Sequence, residues 1–145
     1  MNKEIDAINN FRNGFNCAQS VLISYLDEVN IDKDSLLRIS CAFGAGMGRM
    51  QDLCGAVSGS YMVIGLKLGK CHEQDNEAQE KTYQLVREFE SEFQKINKTT
   101  CCRELLGCNL LTEEGKKYYI AYNLKEEVCI KCIESALQIL KKLLN

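Results

Sequence analysis

Nine cysteines stand in a chain of 145 residues, and three of them fall where a helix is expected to begin. Asn16 can cap a helix that opens with Cys17. Asp52 can cap one in which Cys54 lies two residues on, and Thr100 one that carries Cys102. Free backbone N–H groups and the positive end of a helix dipole stabilise a thiolate at such positions. These thiols are therefore expected to be more acidic, and better ligands, than thiols in mid-helix. Cys129 lies a turn or more inside the last helix, on its apolar stripe. Thiol, metal or iron–sulfur chemistry is what this set can do.

The densest signal is Cys54-Gly55-Ala56-Val57-Ser58-Gly59, directly behind the glycine-rich loop Phe43-Gly44-Ala45-Gly46-Met47-Gly48-Arg49. Gly55 and Gly59 are four apart on one helix face, and with Ala56, Ser58 and Ser60 they leave a surface of little bulk. A bound cluster or a second helix can approach such a backbone closely. Close helix packing is the simpler account of Gly59 and Gly65. Arg49 is placed to lower the pKa of Cys54.

Other motifs carry less. Cys129-Ile130-Lys131-Cys132 is a CxxC without the βαβ context of a thioredoxin site, without the histidine of a haem attachment site, and without the second CxxC of a zinc ribbon. The glycine loop lacks the Gly-Lys-Ser/Thr of a P-loop, and no strand precedes it as a dinucleotide fingerprint requires. His72, the single histidine, stands beside Cys71 and reads as a surface residue. Tyr118, Tyr119 and Tyr122 read as cover for the core.

The elements that must position these thiols all have helical period. The spacing predicts an all-α, single-domain bundle of about five to seven helices over residues 1–145. Helices are expected from Lys3 to Arg12, from Asn16 to about Glu28, and from Lys33 with Leu36, Leu37, Ile39 and Cys41 inward. A central helix, apolar nearly all round, runs from Leu53 to Leu68, with Asp52 as cap and Gly69 as stop. A long helix follows from Asn76 to Ile96, with Leu85, Val86, Phe89, Phe93 and Ile96 on its stripe. A short helix begins at the Thr99-Thr100-Cys101-Cys102 segment and ends near Gly107, and a short turn or helix lies around Glu113 to Ala121. Asn123 and Glu126 form a capping box for the last helix.

With 46% hydrophobic and 26% charged residues and a net charge of −2, the composition is that of a globular chain with no basic face for nucleic acid. The first residues lack the apolar core of a signal peptide, and the longest apolar stretch is too short to span a bilayer. The expected setting is cytoplasmic, without membrane insertion, where thiols stay reduced and a disulfide framework is not expected. Some cysteines serve as small buried apolar residues, which is a poor account of all nine.

The chain resembles the family of redox-active proteins named for the pattern C_GCAxxG_C_C. The resemblance rests on Gly14-Phe15-Asn16-Cys17-Ala18-Gln19-Ser20-Val21-Leu22, on the glycine loop and Cys54–Gly59, on Cys102-Arg103-Glu104-Leu105-Leu106-Gly107, and on Cys129 ahead of Ile133 and Ala136. It implies a small bacterial redox protein marked by four cysteines, here Cys17, Cys54, Cys102 and Cys129. Asn109 departs from an aspartate common in the family. Cys41, Cys71, Cys101, Cys108 and Cys132 are additional and have no assigned role. Cys101 beside Cys102, and Cys132 three after Cys129, leave the third and fourth family positions open to a slip.

Three functions compete. In the first, the four cysteines converge on an iron–sulfur cluster, or less favourably zinc, for electron transfer or sensing. In the second, no cofactor is held, and Cys54 is the attacking thiolate of a thiol–disulfide cycle resolved by a second family cysteine. In the third, the chain is a helical interaction module with inert thiols. A redox partner protein is implied by the first two, and a homodimer is left open.

Overall fold

The computed structural model describes residues 2–145; Met1, which the expected domain takes in, lies outside the described residues. The helical spacing is realised among them as eight α-helices without a strand. These are α1 (Lys3–Arg12), α2 (Cys17–Ile23), α3 (Lys33–Cys41), α4 (Gly55–Leu68), α5 (Asn76–Asn97), α6 (Cys102–Leu106), α7 (Glu113–Ala121) and α8 (Lys131–Leu144). All but α6 have at least seven residues. A π-helical turn, Lys125–Ile130, runs directly into α8.

Helix α4 is the axle of the bundle. It is buried on all sides from Gly55 to Ser60, and again at Val63 and Ile64, as its all-round apolar character requires. It packs on α2, α5 and α8, and α1 closes the far side against α2 and α8. Gly59 is what lets α2 come so near. A Cβ there would stand 2.8 Å from the Ala18 carbonyl oxygen. Phe89 and Phe93 of α5 stack at 6.0 Å in the core, with Tyr61 edge-on to Phe89. No helix of the described residues is long and apolar enough to cross a membrane.

Several boundaries differ from expectation. Helix α2 ends at Ile23 rather than near Glu28. The Ser24 hydroxyl donates to the Val21 carbonyl at 2.6 Å, and the Ser24 and Tyr25 amides donate three residues back, which tightens the turn and ends the α-helix. Asp52 is not the cap of α4. Its backbone is tied to Gly46 and Cys102, and Leu53 makes an isolated antiparallel bridge with Cys101. The helix therefore opens only at Gly55, with Cys54 itself in the cap position.

The expected capping box of Asn123 and Glu126 does not form. Asn123 is left-handed at φ 53°, its carbonyl accepts from the Glu126 and Glu127 amides, and the Glu126 carboxylate pairs with Arg12. Inward positions were overcounted too. The buried face of α3 is carried by Leu36 and Ser40, so Ile39 and Cys41 are exposed. Ile96, on the last turn of α5, is exposed as well. Gly65 meets nothing within 4 Å of an added Cβ, so helix packing does not explain it.

Candidate functional site

Each site cysteine is fixed by backbone geometry near a helix start. Cys17 opens α2 behind a complete capping box: the Gln19 amide donates to Asn16 Oδ1 at 2.9 Å, and the Asn16 amide donates to Gln19 Oε1 at 3.0 Å. Asn16 Nδ2 reaches on to the Cys41 carbonyl. Cys54 and Cys102 are fastened as a unit. The Cys54 amide donates to the Thr100 carbonyl and the Cys102 amide to the Asp52 carbonyl, each at 2.7 Å. Cys129 sits in the π-helical turn and Cys132 at the start of α8. Such turns recur at functional sites.

The segment between α3 and α4 bends around these thiols. Ala45, Gly46, Met47, Gly48, Arg49 and Gln51 all have positive φ. For the four without the freedom of glycine this is strained backbone, of the order of 1–3 kcal/mol each. The curl brings Gly46 against the site. A Cβ on it would stand 2.6 Å from the Cys102 Cβ and 2.7 Å from the Gln51 Cα. Gln51 is buried and locks the curl to the segment after α6. Its Nε2 donates to the Cys108 carbonyl at 2.8 Å, and its Oε1 accepts from the Leu110 amide at 2.7 Å.

Cys17, Cys54, Cys102, Cys129 and Cys132 line one cavity of about 120 Å³. Its remaining wall is mostly apolar, with Phe11, Leu106 and Val128, and Tyr119 stands at its edge. All but Cys129 are buried, and all nine cysteines are free thiols. The sequence therefore named four of the five cysteines that the cavity brings together.

The thiols interact in pairs. A hydrogen bond from the Cys132 thiol holds the Cys54 pKa below the ordinary thiol value, and the Ala56 and Val57 amides add to this against the effect of burial. The same contact, then burial, pushes Cys132 up. In the second pair the Cys17 thiol holds Cys129 low, aided by the Tyr119 hydroxyl and the Lys125 charge against burial. Cys17 is raised by that contact and by burial. In each pair the sulfur with outside donors is the more acidic of the two. Burial, with Cys54 and Cys129 nearby, pushes Cys102 up to about 12, and a hydrogen bond from Gln51 acts the other way.

The other expected roles sort as follows. Arg49 is exposed and is absent from the influences on Cys54. Cys71 and His72 lie in an exposed loop. The Cys101 thiol donates to the Gln51 carbonyl at 3.5 Å. Tyr118 and Tyr122 stack on each other, largely exposed, whereas the Tyr119 hydroxyl lies 3.7 Å from the Cys129 sulfur. Sequence reasoning gave Tyr119 only as cover for the core and missed Gln51, whereas Cys132 already stood as an alternative for the fourth family position. The signal for Cys132 is the i,i+3 spacing that returns it to the helix face of Cys129; Tyr119 and Gln51 left none.

Among the described residues, no group of three or more His, Cys, Asp or Glu side chains is gathered as a single metal ion requires. A lone tetrahedral zinc does not fit this spacing. The donor set is otherwise one of thiols alone, which suits soft metals and iron–sulfur clusters.

No curated protein and no solved structure matches the chain. Residues 15–143 match the family model described as "Putative redox-active protein (C_GCAxxG_C_C)". With the match running from two residues before Cys17 to the last turn of α8, the chain belongs to that redox-active cysteine family.

Proposed function

We propose that the chain is a small electron-transfer or redox-sensing protein whose Cys17, Cys54, Cys102 and Cys129 hold an iron–sulfur cluster. One observation carries the reading: cysteines far apart in sequence line a single buried, largely apolar cavity that no histidine or carboxylate lines. When bound, a cluster supplies a one-electron couple tuned by hydrogen bonds to sulfur and by burial. The chain supplies the surroundings. The cap of Asn16 orients Cys17. The Ala56 and Val57 amides stabilise negative charge at Cys54, and Tyr119 does so at Cys129. Phe11, Leu106 and Val128 keep water from the sulfurs.

Burial also favours electron transfer over direct exchange with a partner protein. Cys54 is 6% exposed, Cys102 8% and Cys17 9%, which leaves little sulfur surface for a protein thiol to attack. Electron transfer needs no contact at sulfur. The test is purification without oxygen, with analysis of iron, acid-labile sulfide and zinc. Brown protein carrying iron and sulfide together supports the reading. Colourless, metal-free protein whose thiols cycle reversibly through a disulfide supports the thiol–disulfide cycle at Cys54 instead. Thiols that react only after denaturation support an inert module.

A further inference from the structure

Two family cysteines take their backbone position from one short strap, residues 99–101, which lies between α5 and α6 and belongs to neither. The Thr100 carbonyl accepts the Cys54 amide at 2.7 Å. Cys101 bridges to Leu53, and the Cys102 amide donates to the Asp52 carbonyl. What holds the strap from behind is a carboxylate on α5. The Thr100 hydroxyl donates to Glu90 Oε1 at 3.0 Å. Tyr61 of α4 donates its hydroxyl to Glu90 Oε2, and Gln94 Nε2, one turn along α5, donates to Oε1 at 3.0 Å. Burial and the Glu90 carboxylate push the Tyr61 pKa up, so Tyr61 keeps its proton and stays a donor. Glu90 is half-buried, and among the described residues no cation pairs with it. Its charge is met by hydrogen-bond donors alone. Such bonds are roughly twice as strong as neutral ones, and both carboxylate oxygens can accept at once.

We infer that Glu90 is a positioning residue for the site: anchored to α4 through Tyr61, its carboxylate fixes Thr100, and through the Thr100 carbonyl it sets where Cys54, and with it Cys102, presents its sulfur. Glu90 touches no cysteine in this role. It acts by joining α4, α5 and the strap at one point, directly behind the hydrogen bond that holds the Cys54 backbone. The inference rests on the reading of Cys54 and Cys102 as ligands, and one arm of its test does not need the cluster.

The experiment uses the full chain. Amide hydrogen exchange is followed by NMR in reduced, metal-free wild type, Thr100→Val and Thr100→Ser. Valine keeps the shape of Thr100 without the donor, and serine keeps the donor. Exchange at the Cys54 and Cys102 amides is expected to rise about tenfold or more in Thr100→Val and to return toward wild type in Thr100→Ser. The amides of Phe89 and Phe93 should not change in either. Glu90→Met, which removes the carboxylate at similar length, should match Thr100→Val at the two cysteines; if that variant does not fold, the Thr100 pair decides. Unchanged exchange at Cys54 in Thr100→Val overturns the inference. So does an equal rise at Phe89 and Phe93, which marks a contact that only stabilises the bundle. The same variants purified without oxygen are compared by visible circular dichroism, which reports the geometry around an iron–sulfur chromophore. Thr100→Val should show a changed spectrum or lost iron, and Thr100→Ser the wild-type spectrum. Identical spectra and iron content in wild type and Thr100→Val overturn the positioning role. Absence of iron from wild type fails the cluster reading, and amide exchange then judges Glu90 on its own.

Discussion

Cys54 gathers more of the site's physics than any other residue. It is held by the Thr100 carbonyl, faces the amides of Ala56 and Val57, and shares its cavity with Cys132. Replacing it by Ser is expected to remove most bound iron, whereas Cys41→Ser and Cys71→Ser, at exposed positions, should leave iron content unchanged. Metal analysis of the three variants checks this, and equal iron in all three would mean that the position of Cys54 carries no weight. Tyr119 offers a finer probe. Its hydroxyl favours the thiolate of Cys129, so Tyr119→Phe should raise the Cys129 pKa. The pH dependence of Cys129 alkylation, followed by mass spectrometry in metal-free protein, reads the shift. An unchanged or lower value would contradict the role. Cys17 was legible because its helix start leaves a mark in sequence, a capping residue and then the thiol; Cys129 carries no such mark and came from the family resemblance. Tyr119 and Gln51 left none, since each acts through a contact across the fold.

At the scale of elements, helical period revealed the helices, the short ones at Cys102 and Glu113 included, better than their caps and ends. The strained curl of residues 45–51 was legible only as a run of glycines. Its consequence, that Cys54 caps α4 in place of Asp52, depends on hydrogen bonds to the segment before α6. Glycine spacing in α4 was half informative. Gly59→Ala puts a Cβ against the Ala18 carbonyl and should cost about 1–3 kcal/mol through overpacking. Gly65→Ala meets open space and should stabilise by about 0.5–1 kcal/mol through helix propensity. Thermal unfolding of the two variants should therefore move in opposite directions. Parallel shifts would mean that α2 and α4 are not in such close contact.

Across the whole molecule, the cavity makes stability depend on pH. Cys102 titrates at the ordinary thiol value of 9.0 when unfolded and at about 12 in the fold. Between these values the folded chain holds a proton that the unfolded chain has lost, so this contribution is complete below about 9 and is lost as the pH rises toward 12. The urea midpoint of reduced, metal-free wild type should accordingly fall, relative to Cys102→Ser, as the pH rises above 9.0. A constant difference would mean that Cys102 is not buried as described. The all-α bundle was readable because every long apolar stripe repeats at the helical period. That five cysteines of four separate segments would meet could not be read from period alone; it follows from how α2, α4, α6 and α8, with the turn that leads into it, converge.

The central claim is that these sulfurs, and no other donors, surround iron. X-ray absorption at the iron edge of protein purified without oxygen tests it most directly. The account predicts a first shell of sulfur alone with an iron–iron scattering path beyond it, both lost in Cys54→Ser. Iron bound through nitrogen or oxygen, or a fully reduced wild-type protein without iron, would contradict it.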